Sequence, residues 1–430
     1  MEDLRWRASE NLVAPLHVLR LSVEQIDKFL ESELEENVLF ARFEKLARNC
    51  GKIGEKERRR MLKRLGEMLG KVKEVYSSLR ELAVVLEEKA PREVGLWRLE
   101  RGEEIYQFFV EEQTTTKMTA LEVHRVGLEE VEKTQKAMRE ILEKEGYDAP
   151  QFCAAIQKVK KEARFLFEES EEGKKLILRG YRELLRKYEK KWEELIGITP
   201  SIGMLVNKVP AFKEKSAPHA YYTPPSLDRK RKGTFFCNVR QCKDHPTFSM
   251  KSLFFHEGVP GHHYQLTIAQ DQKHLPLFRQ NIPWNAYAEG WALYVERLAD
   301  EFGFYEDNFE RLGWLQFDLL RSVRLVVDTA LHCKEIGWGR EEAIKYMHEN
   351  TGLDISLVTA EVDRYAVMPA QALGYKVGQL SFLRLRERAK ERLASKFSLQ
   401  EFHKTVLKCG AVPLSLLERI VEEWVEEKIN

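Results

Sequence analysis

Histidines and acidic residues that could bind a metal ion are concentrated in one stretch of the chain. Seven of the eleven histidines fall between residues 245 and 348, and the densest run is FFHEGVPGHHYQ, residues 254–265. Neutral imidazoles are zinc ligands, and a carboxylate beside the metal can take a proton from its bound water. The pair His256 and Glu257 therefore predicts metal-assisted hydrolysis, with His256 as a ligand and Glu257 as the general base.

The spacing of these histidines departs from the usual H-E-x-x-H motif. Pro260 stands four positions after His256, where the usual motif has a second histidine on the same helix face. On a regular helix, His262 would lie about 240° around the axis from His256, and His263 about 10.5 Å along it. A two-residue bulge at Pro260–Gly261 would bring His262 into place, because proline and glycine both disturb a helix. We therefore expect His262 to be the second ligand, with His263 as the competing alternative.

A third protein ligand is expected from a neighbouring helix, which leaves one metal position open for water. The segment WNAYAEGWALYVER offers Glu289, which lies between the small residues Ala288 and Gly290 that would let helices approach closely. Glu296 lies seven residues further on, on the same helix face, and could support a ligand or form a simple ion pair. These ligands predict one Zn²⁺ per chain, with Co²⁺ or Mn²⁺ as alternatives.

At these motifs the sequence resembles the DUF885 family of the zincin-type metallopeptidase clan. FFHEGVPGHHYQL matches the family's HExxPGHH signature, and YAEGWALYVE matches its second acidic helix. The likeness continues through AYYTPPSLDRKRKGTFFCNV, RLVVDTALH and DRYAVMPAQALGYKVGQL, and it is strongest over residues 200–430. The sequence departs from the family at Pro-Ala-Gln, residues 369–371, where relatives often have Pro-Gly-Gln.

The resemblance implies a zinc-dependent peptidase similar to the metallocarboxypeptidases that have helical, cleft-shaped bodies. The implied substrate is a short peptide or another small amide, and the implied base is Glu257. By the same likeness Tyr375 is expected to stabilise the oxyanion, with Tyr365 as the second choice. The alternative is a catalytically inactive metal-binding or scaffold protein of the same fold. The presence of Glu257 favours the enzyme, because a degenerate relative is expected to lose its general base first.

Charged residues further along the chain are candidates to assist the reaction. Arg324, Asp328 and His332 are spaced four residues apart, so they lie along one side of a helix. His332 could hydrogen-bond the substrate carbonyl or the oxyanion, Asp328 could orient a nearby imidazole, and Arg324 could contact substrate. The structural alternative for this set is a surface ion pair, together with a separate histidine at the C-terminal end of the helix.

Two further features could bind the substrate itself. Arg364 could pair with a substrate carboxylate through its two parallel donors, although Glu361 or Asp363 could occupy it instead. The predicted strand 234–239, TFFCNV, could be an edge that pairs with an extended peptide. The basic run RKRK, residues 229–232, is too short to predict nucleic-acid binding and is expected to be a solvated loop.

The elements that must position these side chains are mainly helices. Residues 1–195 carry apolar residues at helical spacing, as in 21–43, 55–88 and 129–145, and predict a helical N-terminal half that forms one wall of a cleft. Residues 196–430 begin with a Pro-, Gly- and Tyr-rich region containing the short strand, and helical patterns resume near residue 248. The predicted fold is mainly α, a large bundle packed as one continuous body with one small sheet beside the metal-binding helix.

Composition excludes several classes of protein. The chain has 430 residues, and 70 Lys and Arg balance 69 Asp and Glu to a net charge of +1, so no nucleic-acid partner is expected. The sequence has no apolar run long enough to span a membrane and no export signal at its beginning, so we expect no membrane partner. Six cysteines without a CxxC pair predict reduced thiols and a cytoplasmic location, and a homodimer is compatible with the sequence.

Overall fold

The computed structural model describes residues 1–214, 217–281 and 284–430, and shows a mainly α-helical chain with one small sheet. This architecture confirms the predicted fold class. The chain divides into two compact units, Met1–Val94 and Gly95–Asn430. The predicted N-terminal half, residues 1–195, contains the first unit and the beginning of the second, and that two-part division stays a prediction. In the described parts of the chain, no helix is both long and apolar enough to cross a membrane.

The first unit consists of helices that pack through a small apolar core. Its helices are α1 (Glu2–Ser9), α2 (Leu16–Glu31), α3 (Val38–Asn49) and α4 (Glu55–Glu87). The predicted helix 55–88 is the single helix α4, whereas the predicted helix 21–43 is divided between α2 and α3. The division has a local cause, because the Asn37 side chain accepts a hydrogen bond from the Leu39 main-chain N–H at 3.0 Å and so begins a new helix.

The second unit contains the predicted metal ligands. Its elements are α5 (Gly102–Thr114), α6 (Ala120–Lys144), α7 (Phe152–Lys161), α8 (Glu171–Ile196), β1 (Met204–Lys208), β2 (Ala220–Thr223), β3 (Gly233–Cys237), α9 (Met250–Glu257), α10 (His262–Asp271), α11 (Leu277–Asn281), α12 (Asn285–Glu301), α13 (Asn308–His332), α14 (Arg340–Thr351), α15 (Ile355–Val367), α16 (Leu373–Leu393), α17 (Leu399–Lys408) and α18 (Leu414–Ile429).

Helices α12 and α16 approach each other closely at two glycines. A Cβ added at Gly378 would overlap the main-chain oxygen of Ala286 and would lie 2.7 Å from the Cα atom of Gly290. The small residue predicted beside Glu289 therefore does allow close approach, with α16 as the partner helix. The same contact brings the beginning of α16, which carries Tyr375, towards the helix that carries Glu289.

The sheet differs from the predicted single strand in its number of strands and in their order. Its order is β1–β3–β2, with β1 parallel and β2 antiparallel to the central strand β3. The prediction that strand 234–239 is a free edge is therefore wrong, because both sides of β3 are already paired. Phe235 of β3 is fully buried and packs against Tyr181 of α8, with ring centroids 4.8 Å apart, and against Phe254 of α9. These contacts hold the sheet beside the helix that carries His256.

Three glycines near the ends of helices have left-handed backbone. Gly337, Gly352 and Gly410 have φ angles of +64°, +65° and +67°, which a glycine adopts without steric cost. Ala370 also has a positive φ, +64°, at the position where relatives often have glycine. An L-residue in this region pays a steric cost of about 1–2 kcal/mol, which a glycine would avoid.

Candidate metal-binding active site

The helix that carries the histidine motif is interrupted between Glu257, where α9 ends, and His262, where α10 begins. Within the interruption, the N–H of Gly261 donates to the Phe255 carbonyl oxygen at 3.0 Å. A Cβ at Gly261 would overlap the main-chain oxygens of His256 and Phe255, so this path requires glycine. The sequence predicted an interruption at Pro260–Gly261. This interruption sets the direction of α10 relative to α9.

The interruption brings two imidazoles and one carboxylate into a common arrangement. The Nε2 atoms of His256 and His262 lie 3.3 Å and 3.5 Å from the same oxygen, Oε2 of Glu289. Ligands at about 2.0–2.1 Å from a tetrahedral zinc ion lie about 3.3–3.4 Å from one another. This Oε2 atom is also buried without a hydrogen-bond partner among the described residues. The two distances from Glu289 Oε2 to the imidazoles are therefore close to the edge lengths of a tetrahedral metal site.

The electrostatics of this group favour a positive charge between the acids. Burial lowers the pKa of His256, but the neighbouring carboxylates of Glu289 and Glu296 outweigh that effect and raise the pKa to about 9. Burial raises the pKa of Glu289, but the nearby imidazoles of His262 and His256 hold it well below its usual range. A divalent cation could take the place of the shared protons, because metal ligands must be deprotonated.

Glu296 orients the first imidazole from the far side. Its Oε1 lies 2.8 Å from Nδ1 of His256, and its side chain is only 1% exposed. Ser252 donates a hydrogen bond to the other carboxylate oxygen, Oε2. A carboxylate that binds Nδ1–H leaves Nε2 as the unprotonated donor atom, the tautomer that a metal needs. This is the supporting contact for which Glu296 was a candidate.

Glu257 approaches the imidazoles from the end of α9. One carboxylate oxygen of Glu257 and one ring nitrogen each of His256 and His262 lie within 4.8 Å of one another. Burial raises the pKa of Glu257, and the charges of His262 and His256 partly oppose this rise. The main-chain N–H of Tyr222, on β2, donates a hydrogen bond to this carboxylate. Two acids, Glu257 and Glu289, thus flank the histidine pair from different elements.

His263 does not join this group. Its Nδ1 lies 2.8 Å from the hydroxyl oxygen of Tyr222, and the ring is buried against Thr267. Burial lowers the pKa of His263 to about 3, so the ring is neutral. Of the two competing histidines, the structure therefore places His262 beside His256 and turns His263 towards the sheet.

Tyr375 packs against Arg324 and lies on α16, the helix that packs against the one carrying Glu289. The guanidinium carbon of Arg324 is 4.8 Å from the centre of the Tyr375 ring. Burial raises the pKa of Tyr375, and the charge of Glu289 raises it further. No hydrogen-bond partner for the hydroxyl is present among the described residues, so it is available to a substrate.

The predicted substrate-binding residues Arg324, Arg364 and Tyr365 all contact one acid. Oε2 of Glu361 accepts hydrogen bonds from Arg324 Nε at 3.0 Å, from Arg364 Nη2 at 3.1 Å and from the Tyr365 hydroxyl at 2.6 Å. Nη1 of Arg364 also donates to the side chain of Gln371. Burial raises the pKa of Glu361, but Arg324 and Arg364 outweigh that effect and lower it to about 2. Glu361 thus occupies Arg364, which was the alternative left open by the sequence.

His332 and Asp328 have structural partners rather than partners at the metal-binding group. His332 is fully buried, its Nδ1 accepts from the Leu96 N–H at 3.1 Å, and its Nε2 donates to the Tyr365 carbonyl oxygen at 3.1 Å. Neither ring nitrogen remains for a substrate, which corrects the predicted catalytic role. Asp328 accepts from the Tyr106 hydroxyl at 2.8 Å and from the Ala370 N–H at 2.9 Å, not from an imidazole.

Sequence reasoning gave no role to two residues that the structure brings to this region. Tyr222 supports both Glu257 and His263, and its signal was the short AYYT run before two prolines. Arg321 stands three residues before Arg324 and so lies near it on the helix, a spacing that could have identified it.

Comparison with known proteins identifies the family of the chain. A family model described as "Bacterial protein of unknown function (DUF885)" matches residues 1–421. The chain belongs to the DUF885 family. This membership confirms the family part of the sequence resemblance. None of the curated proteins matches the chain.

Two solved structures resemble this DUF885 protein. One is the crystal structure of a "putative lipoprotein" from Colwellia psychrerythraea, with a TM-score of 0.95 and 35% identity, covering 99% of this chain and 72% of that one. The other is a "putative lipoprotein of unknown function" from Shewanella oneidensis, with a TM-score of 0.71 and 18% identity, covering 95% of this chain and 73% of that one. The second likeness shows a shared fold alone.

Proposed function

We propose that this DUF885 protein is a metal-dependent hydrolase of peptide or amide bonds that acts on short peptides. The observation that carries the proposal is the meeting of His256 Nε2, His262 Nε2 and Glu289 Oε2 at tetrahedral-edge distances of 3.3 Å and 3.5 Å. The likeness of the HExxPGHH motif to the zincin clan supports the same reaction class. Two imidazoles and one carboxylate form a donor set that suits zinc, with Co²⁺ or Mn²⁺ as alternatives.

The residues around the histidine pair have distinct proposed roles. His256, His262 and Glu289 would hold one ion per chain, and that ion supplies Lewis acidity that activates a water and polarises the substrate carbonyl. Glu257 accepts a proton from the attacking water and returns it to the leaving amine as the carbon–nitrogen bond breaks. The Tyr375 hydroxyl donates a hydrogen bond to the carbonyl oxygen as negative charge develops there. Glu296 keeps the His256 ring in the tautomer that binds metal.

Replacement of the general base tests the proposal directly. Glu257→Gln is expected to keep about one equivalent of bound metal and to lose peptide hydrolysis by several orders of magnitude. Metal content is measured by elemental analysis, and cleavage of a mixed peptide library is read by mass spectrometry. Glu306→Gln, on the surface of the second unit, is the matched control. Near-normal turnover in Glu257→Gln would remove the base assignment.

The main alternative is a metal-binding or scaffold protein of the same fold without turnover. The two proposals are distinguished by an experiment on the wild-type protein. If the scaffold alternative is correct, the wild-type protein binds metal but cleaves no peptide in the library. The cytoplasmic location and the homodimer stay predictions.

A further inference from the structure

Arg321 is a buried cation without an acidic partner among the described residues. It lies on α13, is 9% exposed, and donates from Nη1 to the Phe317 carbonyl oxygen at 3.2 Å. Its Nε is buried with no hydrogen-bond partner in the described parts of the chain. Asp318, one turn earlier, is held instead by Lys376 at 2.8 Å. Because an unpaired buried charge is costly, this arrangement points to a ligand of negative charge.

The neighbours of Arg321 make its surroundings more positive. Arg324, three residues later on α13, and Arg364, on α15, share the single carboxylate of Glu361. The Arg324 guanidinium also packs on the ring of Tyr375. Among the described residues, the carboxylate of Glu361 is thus the only one in direct contact with any of these three arginines. Arg321 is the member of this set that Glu361 does not reach by an ion pair.

Tyr375 connects this positive region to the metal-binding group. Burial raises the pKa of the Tyr375 hydroxyl, and the charge of Glu289 adds to the rise. The charges of Arg324, Arg321 and Arg364 oppose it. The packing agrees with this, because Arg324 lies on the Tyr375 ring three residues from Arg321 on α13, and α16, which carries Tyr375, packs against α12, which carries Glu289. A substrate at the metal site would therefore extend along Tyr375 towards Arg321.

We propose that Arg321 binds the C-terminal carboxylate of the substrate, so that the hydrolase removes single residues from the carboxyl end of peptides. This inference rests on the proposed function and adds its substrate class. A guanidinium binds a carboxylate through paired N–H donors, and consecutive residues of a peptide are about 3.8 Å apart, so the terminal carboxylate lies just beyond the scissile bond. Arg321 takes the role predicted for Arg364, because Glu361 and Gln371 already occupy Arg364.

The test compares two peptides of identical sequence, one with a free C-terminal carboxylate and one with a C-terminal amide. Metal-loaded wild-type protein is expected to cleave the free-acid peptide at least about 100-fold more efficiently in kcat/KM. Arg321→Gln is expected to lower kcat/KM for the free acid about 100-fold, which brings the free-acid and amide peptides to similar efficiency, and Arg321→Lys should keep part of the preference. Arg384→Gln removes an exposed arginine with an exposed partner and should leave both rates unchanged.

Each outcome decides the proposal. An unchanged preference for the free acid in Arg321→Gln overturns it, as does equal cleavage of both peptides by the wild type. If Arg321→Gln does not fold, the products of the wild-type digest decide, because cleavage at internal bonds is incompatible with a carboxylate anchor. If metal-loaded wild-type protein cleaves neither peptide and no member of a peptide library, the proposed function itself fails. Cleavage of internal bonds with normal metal dependence would leave the proposed function standing and remove only the role of Arg321.

Discussion

Replacement of Glu296 should weaken metal binding although Glu296 is not one of the proposed ligands. In the native protein its Oε1 lies 2.8 Å from His256 Nδ1, and Ser252 donates to its other oxygen. Glu296→Gln keeps the volume of the side chain but replaces one acceptor oxygen with an NH₂ donor. The buried amide can then satisfy only one of the two donors that face it. The His256 ring loses its fixed orientation and part of its basicity at Nε2.

The expected size of this effect follows from the type of contact that is lost. Loss of a carboxylate that supports a ligating histidine typically lowers metal affinity 10- to 100-fold, about 1.4–2.7 kcal/mol. The dissociation constant for Zn²⁺ is measured by competition with a chromophoric chelator at pH 7.5. Thermal unfolding in the presence of chelator verifies that the variant is folded.

A matched control is available on the same helix. Asp300→Asn removes a half-buried carboxylate that pairs with the exposed Arg311 at 2.7 Å, and it should leave the dissociation constant unchanged. A folded Glu296→Gln protein that binds Zn²⁺ as tightly as the wild type would refute the proposed orientation of His256. It would also weaken the assignment of His256 as a ligand.

Three further predictions concern the histidines and the helix packing. His262→Ala should abolish stoichiometric metal binding and His263→Ala should retain it, as measured by elemental analysis; the reverse result would exchange their roles. Gly378→Ala should destabilise the protein by about 1–3 kcal/mol in urea unfolding, because its Cβ has no room against α12, and an unchanged midpoint would contradict that contact. Burial lowers the pKa of His245 to about 4, below the unfolded value of about 6.5, so the unfolded state binds more protons between these values and stability falls as the pH falls through this window. His245→Gln should flatten this part of the stability profile, by up to about 1.4 kcal/mol per pH unit, and an unchanged slope would show that the ring is not buried in its neutral form.

Much of the fold was predictable because most of its elements are long helices. Helix α4 covers residues 55–87 almost as predicted from its 3.6-residue periodicity. The sheet was less predictable, since β1 and β2 are short and lie in a region rich in loop-forming residues. The order of strands depends on pairing between segments far apart in the chain, and local spacing carries no information on that order.

The chemistry of the candidate site was more predictable than the partners of its charged residues. The types and spacing of the residues identified His256, Glu257 and Glu289 as a set suited to a metal. The roles of Arg364 and His332 could not be predicted in the same way. Each depends on which buried donor or acceptor the tertiary fold brings within about 3 Å, and hydrogen-bond satisfaction in the interior is a property of the whole packing.

The amino-acid sequence by itself determined the helices, the break at Pro260–Gly261 and the set of side chains able to bind a metal. These are local properties, since periodicity, backbone restriction and donor chemistry need only neighbouring residues. The tertiary structure alone decided that His262 turns towards Glu289 while His263 turns towards Tyr222. The reason is that the direction of α10 is set by packing against helices and strands distant in sequence, and a rotation of about 100° per residue separates one ring from the next.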